Sequence, residues 1–236
     1  MTMRTSPLST LLQGYTATWI DVAGMALPAA FAAADTGYDT ANDLALCDVS
    51  GFRRFVLKGK DAAAHLREMG LTLPEKINGV VEIDGGGLVI RTGGAEWLVE
   101  EPPCLPPTSG PIMGEERPPA PPILGEDLAG QGGSLWLYPA PGASFLLSGA
   151  RAPCVLLETC NVDLRSPDGD LVMTRVAGVS CYILHRTLNG IPAYQFWTDA
   201  SYAHYLGETL LAIIHEYNGG VAGVSCYFPE VLLPQT

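Results

Sequence analysis

Four histidines, six cysteines and one Asp-Val-Ser motif are the side chains here best suited to chemistry. A serine nucleophile needs a base within reach and a sharp strand-to-helix elbow. Ser50 follows Asp48-Val49 without a G-x-S-x-G pattern and without an evident base. Cys160, in Glu158-Thr159-Cys160-Asn161-Val162-Asp163-Leu164, has no neighbour in sequence that would lower its thiol pKa. The cysteines at 47, 104, 154, 160, 181 and 226 form no C-x-x-C pair. They offer no recurrent four-ligand spacing for zinc and read as reduced thiols, most of them in apolar strands. His204 and His215 share a helix, but no carboxylate or cysteine converges on them. With His65 and His185 they read as surface or half-buried histidines. Gly85-Gly86-Gly87 follows a strand but opens a hairpin rather than a helix, so it is no phosphate cradle. From the residues alone there is no catalytic constellation and no metal site.

Composition narrows the class of partner. Hydrophobic residues make up 47% of the 236 and charged residues 16%, with a mean hydropathy of +0.20. Charged residues are about a quarter of a typical soluble domain. Such a deficit fits a surface partly covered by another subunit, because large obligate interfaces are more apolar than ordinary surface. The 25 acidic and 13 basic residues give a net charge of −12. The one basic doublet singled out, Arg53-Arg54, is no phosphate-binding cluster, so neither nucleic acid nor an anionic membrane is expected. No apolar run approaches the roughly 20 residues of a bilayer span. Ala23–Ala34 is too far inside, with Asp21 before it, to be a secretory signal, and the expected location is cytoplasmic.

The elements that would position these residues fall into four stretches. Residues 1–35 show no period and read as an N-terminal arm over a surface. Residues 36–101 read as a first α+β block: a strand over Phe52–Leu57, then a helix capped by Asp61 and stopped by Gly70. A meander of Val80–Ile83, Leu88–Thr92 and Ala95–Val99 follows, with Gly93-Gly94 expected to supply positive φ at a hairpin. Residues 102–133 open with nine of the 19 prolines, between Pro102 and Pro122. Proline has no backbone donor, so this is an extended linker or an arm that wraps a partner. Residues 134–236 read as a second α+β block. Its expected strands are Leu135–Tyr138, Ser144–Ser148, Leu171–Arg175, Ser180–His185 and Tyr194–Thr198. Arg151–Glu158 reads as a helix with Pro153 in its first turn. A longer helix between Asp199 and Asn218 carries the stripe Ala203, Leu206, Leu210, Ile213 and Tyr217, with Gly219-Gly220 as its stop. AGVSCY occurs at 177–182 and again at 222–227 with unmatched flanks, which reads as two similar core strands and not as a repeat.

The stretch CDVSGFRRFVLKGKDAAAHL followed by INGVVEIDGGGLVIRTGGAEWLVE resembles the opening of the folate-dependent aminomethyltransferases, the glycine-cleavage T-protein family. So does the later order of Arg186-Thr187, a glycine-containing loop, YQFWT and an apolar helix. Within that fold, the segments TCNVDL and MTRVAG and the Tyr-Gln-Phe-Trp strand resemble the gamma-subunit family of heterotetrameric sarcosine oxidases. The resemblance covers about residues 36–100 and 135–225. It implies an α+β fold of two small halves with antiparallel sheets, without the C-terminal barrel of the full enzymes.

The same resemblance marks two acid stations. In the aminomethyltransferases a pair of aspartates precedes the strand matching Leu88–Thr92, where this chain has Gly86-Gly87. A pterin-contacting glutamate has no counterpart in Leu188–Ala193. A carboxylate there would hydrogen-bond the pterin and steady a cationic amine during methylene transfer. The expectation is therefore a subunit with no catalytic residues of its own. It would pack in a hetero-oligomer against a larger oxidoreductase subunit that binds flavin and tetrahydrofolate and oxidises an N-methyl amine. The alternative is a folate-binding subunit that captures formaldehyde in a methylamine or dimethylamine monooxygenase-type complex, with Asp84 or Glu82 in place of the missing acid.

Overall fold

The strand that begins the Asp-Val-Ser motif does not pair with the block that follows it. In the computed structural model, Ala45–Asp48 lies antiparallel to Ala143–Ser148, far along the chain. The structure describes residues 4–32, 34–103, 134–164 and 169–232. In chain order the elements are β1 (Arg4–Thr5), α1 (Ser9–Leu12), β2 (Ala17–Val22), β3 (Met25–Phe31), α2 (Ala34–Asp43), β4 (Ala45–Asp48) and β5 (Arg54–Lys58). Then come α3 (Ala62–Glu68), β6 (Val80–Ile83), β7 (Gly87–Gly93), β8 (Glu96–Glu100), β9 (Trp136–Pro139), β10 (Ala143–Ser148) and α4 (Ala152–Thr159). The last are β11 (Val172–Val176), β12 (Val179–Leu188), β13 (Ile191–Thr198), α5 (Ala200–Glu216) and β14 (Gly220–Val221).

These elements form two units, one of residues up to 51 together with 141–232, the other of 52–140. The expected boundaries, a first block at 36–101 and a second from 134, are therefore corrected at both ends. β4 leaves the first block for the larger unit. β9, expected in the second block, pairs with β5 in the smaller unit. Each change follows from where backbone donors find partners, which sequence proximity does not fix.

The larger unit is built on a six-stranded sheet of order β11-β12-β13-β10-β4-β14, antiparallel except for the β4–β14 pair. Its core lies between this sheet and the helices α4 and α5, around Phe145, Phe196, Leu147, Val155, Leu206 and Leu210. Phe145 and Phe196 face each other across β10 and β13 and stack with centroids 5.4 Å apart. Asp199 caps α5 as expected, accepting from the Ser201 N–H at 2.8 Å. The stripe buries Ala203, Leu206 and Leu210, and Leu211 and Ile214 join it. Asn218, and not a glycine, takes the left-handed φ of 57° that ends the helix.

Within the span expected as an arm over a surface, residues 4–31 form strands and a short helix. Ala23 and Gly24, at φ of 50° and 80°, turn β2 into β3, and β1 adds to form a mixed sheet of order β1-β3-β2. Pro28 is tolerated beside a register irregularity in the pairing with Thr18 and Trp19, where the ladder is broken anyway. Leu8, Leu12, Val22, Leu27 and Ala29 are buried. In β3 the small apolar residues that hid any period are buried or half-buried at every position, so neither face shows a polar alternation.

The smaller unit is an antiparallel sheet of order β6-β7-β8-β5-β9. Phe55, Leu57, Ala62, Leu66, Val89, Trp97, Val99 and Leu137 form its core, which joins α3 to the sheet. Asp61 stands at the N-cap of α3, but its carboxylate accepts from Ser134 Oγ and makes no cap bond. Positive φ falls at Gly85 and Gly86, between β6 and β7, and not at Gly93-Gly94. At that second hairpin a register irregularity between Arg91 and Gly93 supplies the bend instead. The Pro-rich expectation at 102–133 lies outside the described residues from 104 onward.

Truncating Phe196, which is fully buried, removes one of the two stacked rings. The Phe196→Ala variant is expected to lose about 3–5 kcal/mol in urea unfolding. A loss below about 1 kcal/mol would show that the stack is not the centre of this core.

Candidate functional site

Asp48 and Ser50 are buried at the end of β4 and are spent on each other and on the fold. Asp48 Oδ1 accepts from the Ser50 N–H at 2.9 Å, and Oδ2 accepts from the Ser6 hydroxyl. Ser6 Oγ accepts in turn from the Leu8 N–H at 3.1 Å. The Ser50 hydroxyl donates to the Ser144 carbonyl and accepts from the Ser144 N–H, each at 3.1 Å. Ser144 Oγ accepts from Gln195 Nε2 at 3.3 Å, and Gln195 Oε1 accepts from Arg186 Nη1 at 3.1 Å. Six buried side chains from four strands and two loops make one continuous network. The single O–H of Ser50 is committed to the Ser144 carbonyl. Ser6, Ser144 and Gln195 carried no signal in the sequence, because only the pairing of β4, β10 and β13 brings them together.

The first acid station is closed by the backbone. A Cβ at Gly87 would lie 2.6 Å from Pro102 Cδ, 2.7 Å from Pro102 N and 2.8 Å from the Glu100 carbonyl oxygen. No side chain of any kind fits there without moving β8. Gly86 adds a φ of 90°, a conformation that residues with a Cβ rarely adopt. The second station is not a loop at all. Leu188 and Ile191 are paired, so Asn189 and Gly190, at φ of 48° and 79°, form a two-residue turn between β12 and β13. Asn189 Nδ2 donates to the Cys226 carbonyl at 2.9 Å, and the Tyr38 hydroxyl donates to the Asn189 carbonyl at 3.2 Å.

Asp84 and Glu82 are exposed, the first on the β6–β7 turn and the second on the edge strand β6. The buried carboxylates of this unit are elsewhere. Glu100, the last residue of β8, and Glu101 just after it are fully shielded from solvent. Glu100 stands directly opposite Arg54 in the β5–β8 ladder, and Glu101 lies 3.4 Å from Arg53 Nε. The doublets Arg53-Arg54 and Glu100-Glu101, each at the end of an apolar strand, were the available signal for this pairing.

The described thiols are free. Burial pushes the Cys47 thiol well above its ordinary pKa, with the neighbouring Asp48 charge acting in the same direction. Burial raises Cys181 to about 11. Both stay protonated near neutrality, which fits packing and not nucleophilic chemistry. His204 Nδ1 meets Thr10 Oγ1 at 3.2 Å and His215 Nε2 meets the Tyr15 hydroxyl at 3.1 Å, both on the surface. Among the described residues no group of three or more His, Cys, Asp or Glu side chains is placed to hold a metal ion. No helix among them is long and apolar enough to cross a membrane.

No protein-family model and no curated protein matches this sequence. Solved structures do match. The glycine cleavage system aminomethyltransferase T from Bartonella henselae superposes with a TM-score of 0.63 at 15% identity, over 95% of this chain and 61% of that one. A chain of heterotetrameric sarcosine oxidase from Corynebacterium sp. U-96, crystallised with pyrrole 2-carboxylate, superposes with a TM-score of 0.60 at 18% identity. That match covers 92% of this chain and 97% of the other. The chain thus has the aminomethyltransferase fold, α+β with mixed and antiparallel sheets. It spans about three-fifths of the aminomethyltransferase chain it matches.

Restoring an acid at the first station tests its closure. Gly87→Asp is expected to destabilise the protein by about 1–3 kcal/mol in urea unfolding, as overpacking does. Gly87→Ala should cost a similar amount, because the obstruction begins at Cβ. Asp48→Ala leaves the Ser6 hydroxyl and the Ser50 N–H buried without their acceptor. It is expected to cost about 1–3 kcal/mol, and Asp48→Asn less, since Asn retains one acceptor oxygen.

Proposed function

We propose that this chain is a non-catalytic structural subunit of a multi-subunit N-demethylating amine oxidoreductase of the sarcosine oxidase type. In this reading a larger subunit binds the flavin and the tetrahydrofolate and oxidises the N-methyl amine. The observation that carries it is the reciprocal coverage with a chain of a heterotetrameric sarcosine oxidase, 92% of this chain against 97% of that one. Two chains of matching extent and fold suit the same place in an assembly. The stations support the same reading. Folate bound as the resemblance implies needs a carboxylate at each, but Gly87 has room for none and Asn189-Gly190 is a tight turn. The residues present therefore do not fit tetrahydrofolate as a resident group.

The test is a tagged pull-down of this chain from its native cells, with the co-purifying chains identified by mass spectrometry and the eluate assayed for flavin and for N-demethylation. The expected outcome is a stable complex with a larger flavin-containing chain that demethylates an N-methyl amine; recovery of this chain without any flavoprotein would overturn the assignment. The isolated chain should show no calorimetric signal with tetrahydrofolate. Micromolar folate binding by the isolated chain, lost in Asp84→Asn or Glu82→Gln, would overturn this assignment in favour of a formaldehyde-capturing subunit.

A further inference from the structure

Five asparagines occur in the chain, and three of them, Asn78, Asn189 and Asn218, are followed by glycine. Asn-Gly is the step at which an asparagine side chain is most open to attack by its own backbone. Glycine has no Cβ to shield its amide nitrogen, which can then reach the side-chain carbonyl carbon and close a succinimide ring. All three asparagines take a left-handed φ, of 65°, 48° and 57°. What separates them is what holds the glycine N–H.

At two of the pairs the nucleophile is occupied. The Gly79 N–H donates to the Lys76 carbonyl at 3.0 Å, and the Gly219 N–H, past the end of α5, donates to the Ile214 carbonyl at 2.8 Å. Both glycines are also hemmed in. A Cβ at Gly79 would lie 2.9 Å from the Lys76 carbonyl oxygen, and one at Gly219 would lie 2.7 Å from that of Leu44. Asn189 and Gly190 are instead exposed at the tip of the β12–β13 hairpin. Among the described residues the Gly190 N–H donates to no backbone carbonyl, as suits the second position of a two-residue turn. A Cβ at Gly190 would meet only the Tyr38 hydroxyl, at 3.7 Å. That hydroxyl donates to the Asn189 carbonyl at 3.2 Å, on the same peptide unit as the Gly190 N–H, and so makes this amide more acidic. The restraint against reaction is the bond from Asn189 Nδ2 to the Cys226 carbonyl at 2.9 Å. Rotation of one exposed side chain releases it, whereas freeing Gly79 or Gly219 means opening a backbone turn or the end of α5.

We propose that Asn189 is a site of self-modification, converted through a succinimide to aspartyl and isoaspartyl linkages faster than Asn78 or Asn218. The Gly190 nitrogen, having given its proton to water, attacks Cγ of Asn189 and forms the new N–Cγ bond. The Cγ–Nδ2 bond breaks, and Nδ2 takes a proton from water and leaves as ammonia. Water then opens the ring at either carbonyl. One opening leaves an aspartate side chain. The other runs the main chain through Cβ and Cγ, one atom longer than before. Either product replaces Nδ2, the donor to Cys226, by a carboxylate oxygen that repels the same carbonyl. The isoaspartyl product also lengthens a turn that is two residues long and sets the β12–β13 register. The reaction needs only water, and the inference is independent of the subunit assignment above.

The full chain is aged at neutral pH and physiological temperature in water enriched in heavy oxygen, and sampled by peptide mass mapping. Asn189 should convert about threefold to tenfold faster than Asn78 and Asn218, the factor set by the backbone hydrogen bond that must break at the other two. The product at 189 should gain heavy oxygen from ring opening, and an isoaspartyl methyltransferase should label the peptide that contains it. Tyr38→Phe should slow conversion at 189 and leave the other two sites unchanged. A rate at 189 that is unchanged or raised overturns the part given to Tyr38. Asn189→Asp, which carries the charge of the product from the outset, should melt below fresh wild type, and an equal melt overturns the consequence drawn for the turn. Circular dichroism establishes that both variants fold. Conversion led by Asn78 or Asn218, or an Asn189 that stays intact while either of them converts, would overturn the proposal, as would an absence of conversion at all three.

Discussion

The larger unit depends on a buried carboxylate at the end of a four-residue strand. Burying the Asp48 carboxylate without donors would be costly, and the chain supplies them from Ser50 and Ser6. The Ser50 hydroxyl then clamps the backbone of Ser144, which holds β4 against β10. Once that pairing is set, β13 follows on the far side of β10 and β14 on the far side of β4. Gln195 and Arg186 extend the same network across β13 and β12. A motif that looks like the start of a catalytic site is in this chain a register pin.

The acid stations belong to the same economy of space. At Gly87 the neighbouring strand and Pro102 come so close that the absence of a side chain is a packing requirement. At Asn189-Gly190 the two-residue turn sets the register of the longest strand pair in the sheet, with Asn189 further bonded to the Cys226 carbonyl. Replacing these residues by acids would alter two hairpins before it added any chemistry. In this chain the aminomethyltransferase fold fills both positions with close backbone packing.

Much of the architecture was legible in the sequence for plain reasons. α5 announced itself through its apolar stripe and Asp199, and β10, β12 and β13 through β-branched and aromatic runs between turn residues. The N-terminal hairpin was not legible. Ala and Pro among apolar residues give no period in β3, which is buried or half-buried at every position, and the hairpin's turn uses Ala23 in a conformation usual for glycine or asparagine. Of the site, the Asp-Val-Ser motif and the missing acids could be read directly. The partners of the motif could not, because Ser6, Ser144 and Gln195 meet it only through long-range pairing.

The two copies of AGVSCY mark the limit most clearly. The sequence by itself determined an α+β chain, the capped helix α5 and the glycine at 87. It gave identical prospects to Ala177–Tyr182 and Ala222–Tyr227. The first copy turns at Ala177 and Gly178 and runs into β12, where neighbouring strands take its backbone donors. The second becomes a short 3-10 turn at Val224–Cys226, with Ser225 Oγ donating to the Ala29 carbonyl at 2.6 Å. Gly223 there sits so close to the Ala29 carbonyl that a Cβ would fall 2.1 Å from its oxygen. Local preference is the same for both copies. What differs is which distant backbone groups stand nearby to satisfy each N–H and carbonyl, and only the tertiary structure decides that.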